Sequence, residues 1–356
     1  MDWDVPEILR KVLENKASDL HITAGIPPIL RIDGKLIPTD YPVLQPEDTE
    51  KIARIVVNDD RRWEQFIKNN ELDLSVGLPQ TGRFRVNIYR QRGSCGLAIR
   101  ALSYIIPSMD ELHLPKETLE KLAALPRGLI LVTGPTGSGK STSLASMIDH
   151  INNTRACHIV TIEDPIEYLH SHKKSIINQR ELGADTYSFE NALMHVLRQD
   201  PDVILIGEMR NYETISIALT AAETGHLVFA TLHTNNAPST VDRIVDVFPP
   251  HQQQQVRIQL AGAIQGIISQ QLLSRANAKG RIPAIEVMLA NNAIRNLIRE
   301  GKSHQIYTVM QTSLAEGMIT MDRALFELYK NGLVTWEDAI SHAIDQKEFK
   351  LWRNRS

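Results

Sequence analysis

Apolar and polar positions follow two periods along this chain, and each change of period marks an element. Val5, Ile8, Leu9, Val12 and Leu13 recur at helical spacing, which predicts a helix over residues 5–17 with one apolar face. Residues 18–22 and 29–32 read as short strands, with Asp33-Gly34 as a hairpin turn signal after the second. A further helix is expected over 46–58, with acidic residues between Glu47 and Glu50 near its positive end. The stretch 83–90 then alternates strictly: Phe84, Val86 and Ile88 share one side, Arg83, Arg85 and Asn87 the other. A turn over 91–96 returns the chain as a strand to Leu102 that carries Arg100. These elements predict a small α+β domain over residues 1–102 with an arginine-studded hairpin. Residues 103–116 hold Pro107 and Pro115 without periodicity and read as a linker to a second domain, 117–356.

In that second domain the pattern changes. Short apolar runs at 129–132, 158–162, 203–206 and 227–233 read as buried strands. Helical runs at 141–151, 188–198 and 213–223 lie between them, so the domain reads as α/β with strands in a sheet. From residue 256 onward the chain reads as helical, over 256–273, 293–302, 321–331 and 336–345, with Gly301 as a stop for the second of these. No internal repeat is evident.

The strongest chemistry sits after the run 129–132. Gly134, Gly139, Lys140 and Ser141 fit the phosphate-loop pattern G-x-x-x-x-G-K-[ST], with a strand before and a helix after. Triphosphate oxygens need several inward N–H donors, and Gly134, Gly137 and Gly139 let the backbone curl around them. Pro135, Thr136, Ser138 and Thr142 complete the loop and the first helical turn. The helix N-terminus adds partial positive charge, Lys140 a full one, and the Ser141 hydroxyl can ligate Mg²⁺. The expected ligands are ATP and Mg²⁺.

Two strands end in carboxylates. The strand at 158–162 runs into Glu163-Asp164-Pro165-Ile166-Glu167, and Pro165 cannot continue a central strand. The strand at 203–206 runs into Gly207-Glu208, where the usual second nucleotide motif has its acid one position earlier. Glu208 is therefore expected to hold Mg²⁺ through water or to orient the attacking water. His226 and His233 bracket the next strand. His233 ends it on the nucleotide edge, where it can sense the γ-phosphate or bridge to Glu208; His226 reads as structural. Arg83 and Arg85 form either a solvated sheet face or a cationic face suited to a γ-phosphate.

Composition narrows the class. With 42% hydrophobic and 23% charged residues, 356 residues make an ordinary globular chain of about two domains. The net charge of −3 supplies no overall basic field for nucleic acid, and no partner of that kind is expected. Cys95 and Cys157 cannot make a four-ligand zinc site. The acidic start lacks a signal-peptide profile, and no run approaches 18 apolar residues. A cytosolic protein that meets a membrane only through a partner is expected.

The order of these motifs resembles the secretion ATPase superfamily of type II secretion and type IV pili. It runs phosphate loop, Ile-Glu-Asp-Pro-Ile-Glu, Asp-Pro-Asp-Val-Ile-Leu-Ile-Gly-Glu-Met-Arg, then Thr-Gly-His and Thr-Leu-His-Thr. The segment 17–28, the stretch 293–302 and Met310-Gln311-Thr312 resemble its pilus retraction branch. An extra N-terminal domain and a tetracysteine zinc segment, usual in assembly ATPases, are expected to be absent. The resemblance implies a PAS-like N-terminal domain, a RecA-like P-loop NTPase domain with ATP between the two, and a ring homo-hexamer. It implies that Lys140 and Ser141 bind phosphate and Mg²⁺, and that Glu163 and Glu167 belong to an acidic box in which either could polarise water. It implies that Glu208 is the second-motif carboxylate, that His226 and His233 form a histidine box, and that Arg85 and Arg100, with Arg83 and Arg90 beside them, reach the nucleotide. It further implies an inner-membrane pilus platform protein as partner and a place on the inner face of the cytoplasmic membrane. The expected function is a motor ATPase for pilus retraction and twitching motility. An assembly or secretion ATPase of the same superfamily, and a RecA-like nucleic-acid translocase, are the alternatives.

Overall fold

The structure is a computed structural model that describes residues 3–32, 34–78, 82–102, 105–277 and 280–353. Asp33 of the expected turn and residues 103 and 104 of the expected linker lie outside the described residues. The chain divides into two compact units, one up to Ile105 with Glu167–Leu169, the other Ile106–Ile166 with His170–Ser356.

The first unit runs α1 (Val5–Glu14), β1 (Asp19–Ile22), β2 (Ile29–Ile32), β3 (Lys35–Pro38), α2 (Pro46–Val57), α3 (Asp60–Asn69), β4 (Glu71–Leu78), β5 (Gly82–Gln91) and β6 (Ser94–Leu102). Its six strands form an antiparallel sheet in the order β3-β2-β1-β6-β5-β4. The helices start where side chains supply caps: Asp4 accepts from Glu7 N–H, and Asp59 from Arg62 N–H. Val5, Ile8, Leu9 and Val12 of α1 share one core with Phe84, Val86 and Ile88 of β5. The period-two pattern of β5 therefore puts its apolar set against the helices and leaves Arg83, Arg85 and Asn87 on the other face. The hairpin to β6 is tighter than expected, with Arg92 and Gly93 both at positive φ.

The second unit continues with α4 (Lys116–Ala123), β7 (Gly128–Thr133), α5 (Lys140–Thr154), β8 (His158–Glu163), β9 (Ile176–Glu181), α6 (Phe189–Val196), β10 (Val203–Ile206), α7 (Tyr212–Glu223) and β11 (Leu227–Leu232). Then come α8 (Ala237–Asp246), α9 (Pro250–Ala263), β12 (Ile264–Ser274), β13 (Arg281–Leu289), α10 (Asn292–Glu300), α11 (Ile306–Thr312), α12 (Met321–Lys330), α13 (Trp336–His342) and α14 (Gln346–Arg353). The sheet order is β13-β12-β7-β11-β10-β8-β9; all neighbours pair parallel except β12 and β13. Both faces are covered, by α4 and α5 on one side and by helices from α6 to α11 on the other. That is why β7, β10 and β11 are buried throughout and mostly apolar rather than alternating.

One expectation fails here. The helix expected over 256–273 stops at Ala263, and Ile264–Ser274 is a strand. Ile264, Ile267 and Ile268 are β-branched, and β7 and β13 supply a backbone ladder on each side. Gly266 fits because a Cβ there would meet Leu122 side-chain carbons at 3.1 and 3.3 Å. Strand β13 also falls in the stretch expected to be helical, and strands β4 and β9 and helices α3, α4, α8, α11 and α14 have no counterpart among the expected elements.

A buried carboxyl joins this region together. Glu286 of β13 is fully buried and accepts N–H bonds from Ala237 (2.7 Å) and Met321 (3.1 Å), at the starts of α8 and α12. Burial pushes it up to about 7 from 4.5 against the pull of those donors. Between those values the folded state holds a proton that the unfolded chain has lost, so stability falls as pH rises through that window and is level below it. Chemical denaturation at pH 4.5 and 7.5 should show wild type losing on the order of 3 kcal/mol more than Glu286→Gln, which does not titrate. Equal losses would remove this group as the cause.

Candidate nucleotide site

Parallel register brings the site together. Thr133 lies level with Leu232, Ile206 with Ala230, and Ile162 with Ile206. The residues that follow these strands therefore emerge at one edge: Gly134 after β7, Glu208 after β10, His233 after β11, with Glu163 at the end of β8. In open α/β sheets this carboxyl edge is where ligands bind.

The loop between β7 and α5 turns on three glycines at positive φ, of which Gly134 is the most constrained. A Cβ on Gly134 would lie 2.3 Å from the Gln270 carbonyl oxygen and 2.7 Å from Ser138 Oγ. Pro135, Thr136 and Gly137 are exposed, Ser138 and Lys140 are buried, and Gly139, Ser141 and Thr142 are half-buried. Lys140 Nζ donates to the carbonyls of Gly134 (2.9 Å) and Pro135 (3.0 Å), which holds the ammonium inside the loop. Gly139 caps α5, so the N–H groups of its first turn point out of the helix end.

Glu163 is half-buried and its Oε1 accepts from Thr161 Oγ1 (2.6 Å) and Gln179 Nε2 (3.2 Å). Glu167 is exposed. Glu208 Oε2 accepts from Arg210 Nη2 at 2.8 Å, and its Oε1 lies 3.3 Å from His233 Nε2. Burial alone would raise the Glu208 carboxyl, but Arg210 and His233 outweigh it and hold it below its ordinary value. The displaced acid has a steric cause. A Cβ at Gly207 would meet Glu163 Cα and the Ile162 carbonyl oxygen at 3.2 Å, so a side chain at the usual position would crowd the backbone of β8.

His226 stands apart from these groups. It precedes β11, and its carbonyl accepts from Gly128 N–H at the start of β7. That is the amino edge of the sheet, about 17 Å of strand from the loop. Its Nδ1 lies 2.9 Å from the Ala221 carbonyl oxygen at the end of α7, so within one chain the two histidines do not meet.

On the first unit Arg85 and Arg100 sit directly opposite each other on neighbouring strands. With Asp19, Asp73, Asn87 and Ala98 they line a cavity of ≈ 330 Å³ on the polar sheet face. Arg100 Nε donates to Asp19 Oδ1 at 2.9 Å, and Arg83 Nε to Ser75 Oγ at 2.8 Å. Burial would raise Asp19, but Ser18 and Arg100 outweigh it and lower the carboxyl. Arg90 is a correction: strand parity puts it on the opposite face, over the Phe66 ring and 3.9 Å from Glu50.

Sequence reasoning missed Gln270 of β12, which touches the loop, and Gln179 of β9, which holds Glu163. No motif marked either, and Gln270 lay in the segment read as helix. Among the described residues no cluster of three His, Cys, Asp or Glu could hold a metal ion. The donor set still fits Mg²⁺, which takes one or two protein ligands beside phosphate oxygens and water. Ser141 on α5 and Glu208 are the residues that would hold it.

A family model described as type II/IV secretion system protein matches residues 3–340. The chain is 46% identical over 338 residues to the type IV pilus retractation ATPase PilT of Pseudomonas aeruginosa, covering 94% of this chain and 97% of that one. It is 44% identical over 345 residues to the type IV pilus ATPase PilU of the same organism, covering 97% and 90%. Among solved structures, the pilus retraction motor PilT with bound ADP superposes with a TM-score of 0.92 at 52% identity, covering 98% of this chain and 100% of that one.

Gly134→Ala should weaken binding of a fluorescent ADP analogue at least roughly tenfold, because the loop must shift to clear the Gln270 carbonyl. Unchanged affinity would show that the loop has room the structure does not give it.

Proposed function

The chain belongs to the type II/IV secretion system protein family, and from that we propose that it is an ATPase that drives type IV pilus retraction and twitching motility. The observation that carries this reading is likeness to pilus retraction ATPases over nearly the whole chain, with the phosphate loop, Glu208 and His233 at one sheet edge. The two units correspond in this reading to a PAS-like domain over 1–102 and a RecA-like ATPase domain over 117–356, joined by the linker 103–116. The working form is a homo-hexamer on the cytoplasmic face of the inner membrane, acting on a pilus platform protein. Among the described residues no helix is long and apolar enough to cross a membrane.

The chemistry follows from what each group can do. The loop amides and Lys140 bind the phosphates of ATP. Mg²⁺, when bound at Ser141 and through water at Glu208, offsets phosphate charge. Glu163, with Glu167 as the alternative, orients or deprotonates the attacking water; its bonds from Thr161 and Gln179 fix its direction. His233 sits where it can report γ-phosphate loss to Glu208. Arg85 and Arg100 supply positive charge to the γ-phosphate, which planar guanidinium groups suit. Arg100 leaves Asp19 when it does so, and this exchange of partners would couple hydrolysis to movement. His226 acts structurally.

The near-equal likeness to PilU supports a second reading, a pilus ATPase that works beside a paralogue. One experiment separates the readings. Lys140→Ala in the source organism should leave many surface pili and abolish twitching. Bald cells would mean that the ATPase builds pili, and unchanged piliation and movement would point to a paralogue. In the purified protein, Arg100→Ala should lower ATP turnover on the order of a hundredfold while nucleotide affinity changes little. Unchanged turnover would exclude a catalytic role for that arginine.

A further inference from the structure

Gln270 lies on β12, where Ser269 pairs with Thr133 and the strand passes directly behind the phosphate loop. Its side chain is 1% exposed. Its Nε2 donates to the Ser138 carbonyl oxygen at 2.6 Å and would lie 3.2 Å from a Cβ on Gly139. Its own carbonyl oxygen would lie 2.3 Å from a Cβ on Gly134. Lys140 of the loop itself donates to the Gly134 and Pro135 carbonyls at 2.9 and 3.0 Å, and Arg281 Nη1 of β13 approaches the Gly137 carbonyl to 3.5 Å.

A peptide plane has a direction. In a trans peptide the carbonyl of one residue points opposite to the N–H of the next. A loop that offers N–H groups to a polyanion must therefore send the matching carbonyls outward, and a buried carbonyl needs a donor. The Ser138–Gly139 peptide is such a case. Its carbonyl faces the Gln270 amide, so the Gly139 N–H, at the N-cap of α5, faces the opposite way. Gly139 sits at φ 89, next to a glycine two residues earlier, and glycine offers little resistance to a peptide flip. A flipped peptide would turn a carbonyl dipole toward the phosphates.

We propose that Gln270 is a positioning residue for the nucleotide loop: its amide pins the Ser138 carbonyl and thereby aims the Gly139 N–H at the phosphates of the bound nucleotide. The inference rests on the ATPase reading above and deepens it. It assigns to β12, far along the chain from the loop motif, a part in phosphate recognition.

The test compares wild type with Gln270→Met, which keeps volume without a donor, and Gln270→Glu, which sets a carboxylate oxygen against the Ser138 carbonyl. Each full-length protein is titrated with a fluorescent ADP analogue, assayed for ATP hydrolysis and melted without nucleotide. Gln270→Met should raise Kd for the analogue and KM for ATP roughly five- to tenfold, with kcat reduced less than about twofold. Gln270→Glu should raise both further, which keeps the test decisive if the Met variant fails to fold. Wild-type Kd and KM in either folded variant would overturn the inference alone. So would a parallel loss of kcat, affinity and melting temperature, which marks a role in folding only. Wild-type protein that neither bound the analogue nor hydrolysed ATP would overturn the ATPase reading along with it.

Discussion

Level strand ends are the constraint on which the rest of this protein depends. Four parallel strands, β7, β11, β10 and β8, are paired in a register that ends them together. Every polar group proposed for phosphate chemistry on the second unit hangs from that line. The strands are mostly apolar because helices cover both faces of the sheet, and the few polar side chains they carry near this edge, such as Thr161, act on the edge residues. Chemistry is confined to the edge, where the chain leaves the sheet and backbone groups come free. The Glu208–His233 pair exists because β10 and β11 stop within two residues of each other, not because the two residues are near in sequence.

Close packing at that edge also accounts for the residues that look irregular. Gly207 stands where an acid is usual, packed tightly enough against β8 that a Cβ would crowd its backbone at 3.2 Å, and the carboxylate comes one position later. Gly134 is needed for the same kind of reason, since β12 presses its backbone against the loop. The hairpin β12–β13 is thus more than an extension of the sheet. Through Ser269, Gln270 and Glu286 it touches the end of β7, the loop itself and the starts of α8 and α12. Buried polar groups of this kind are costly unless satisfied, so they hold the elements they join in one arrangement.

The first unit follows a different logic. Among the described residues of this unit the helices pack on one face of its sheet, and the other face carries charge. Arg85 and Arg100 owe their adjacency to the register between β5 and β6, and Asp19 joins them from β1. The carboxylate beside two guanidinium groups keeps the face from being a uniform cationic field, and it gives Arg100 a partner of its own. Arg90, one strand parity away, belongs to the opposite face and packs on Phe66.

Much of this was legible in the residues. The phosphate loop, the β5 alternation and the apolar runs of β7, β8, β10 and β11 rest on local rules: glycine freedom, period-two pleating and burial on two faces. Those rules need only neighbouring residues, so one chain read in order suffices. The strand at Ile264–Ser274 did not announce itself, because an apolar run with scattered glutamines suits a helix equally until β7 and β13 offer it hydrogen bonds. The same holds for Gln270 and Gln179, ordinary polar residues whose roles depend on what lies across the sheet. Family resemblance groups His226 and Arg90 with the site, whereas strand direction puts His226 at the other edge of its sheet and parity puts Arg90 on the other face of its own. Local order determines which residues can do the chemistry; the pairing of distant strands decides which of them share an edge, because register is settled by hydrogen-bond partners that no single stretch of sequence contains.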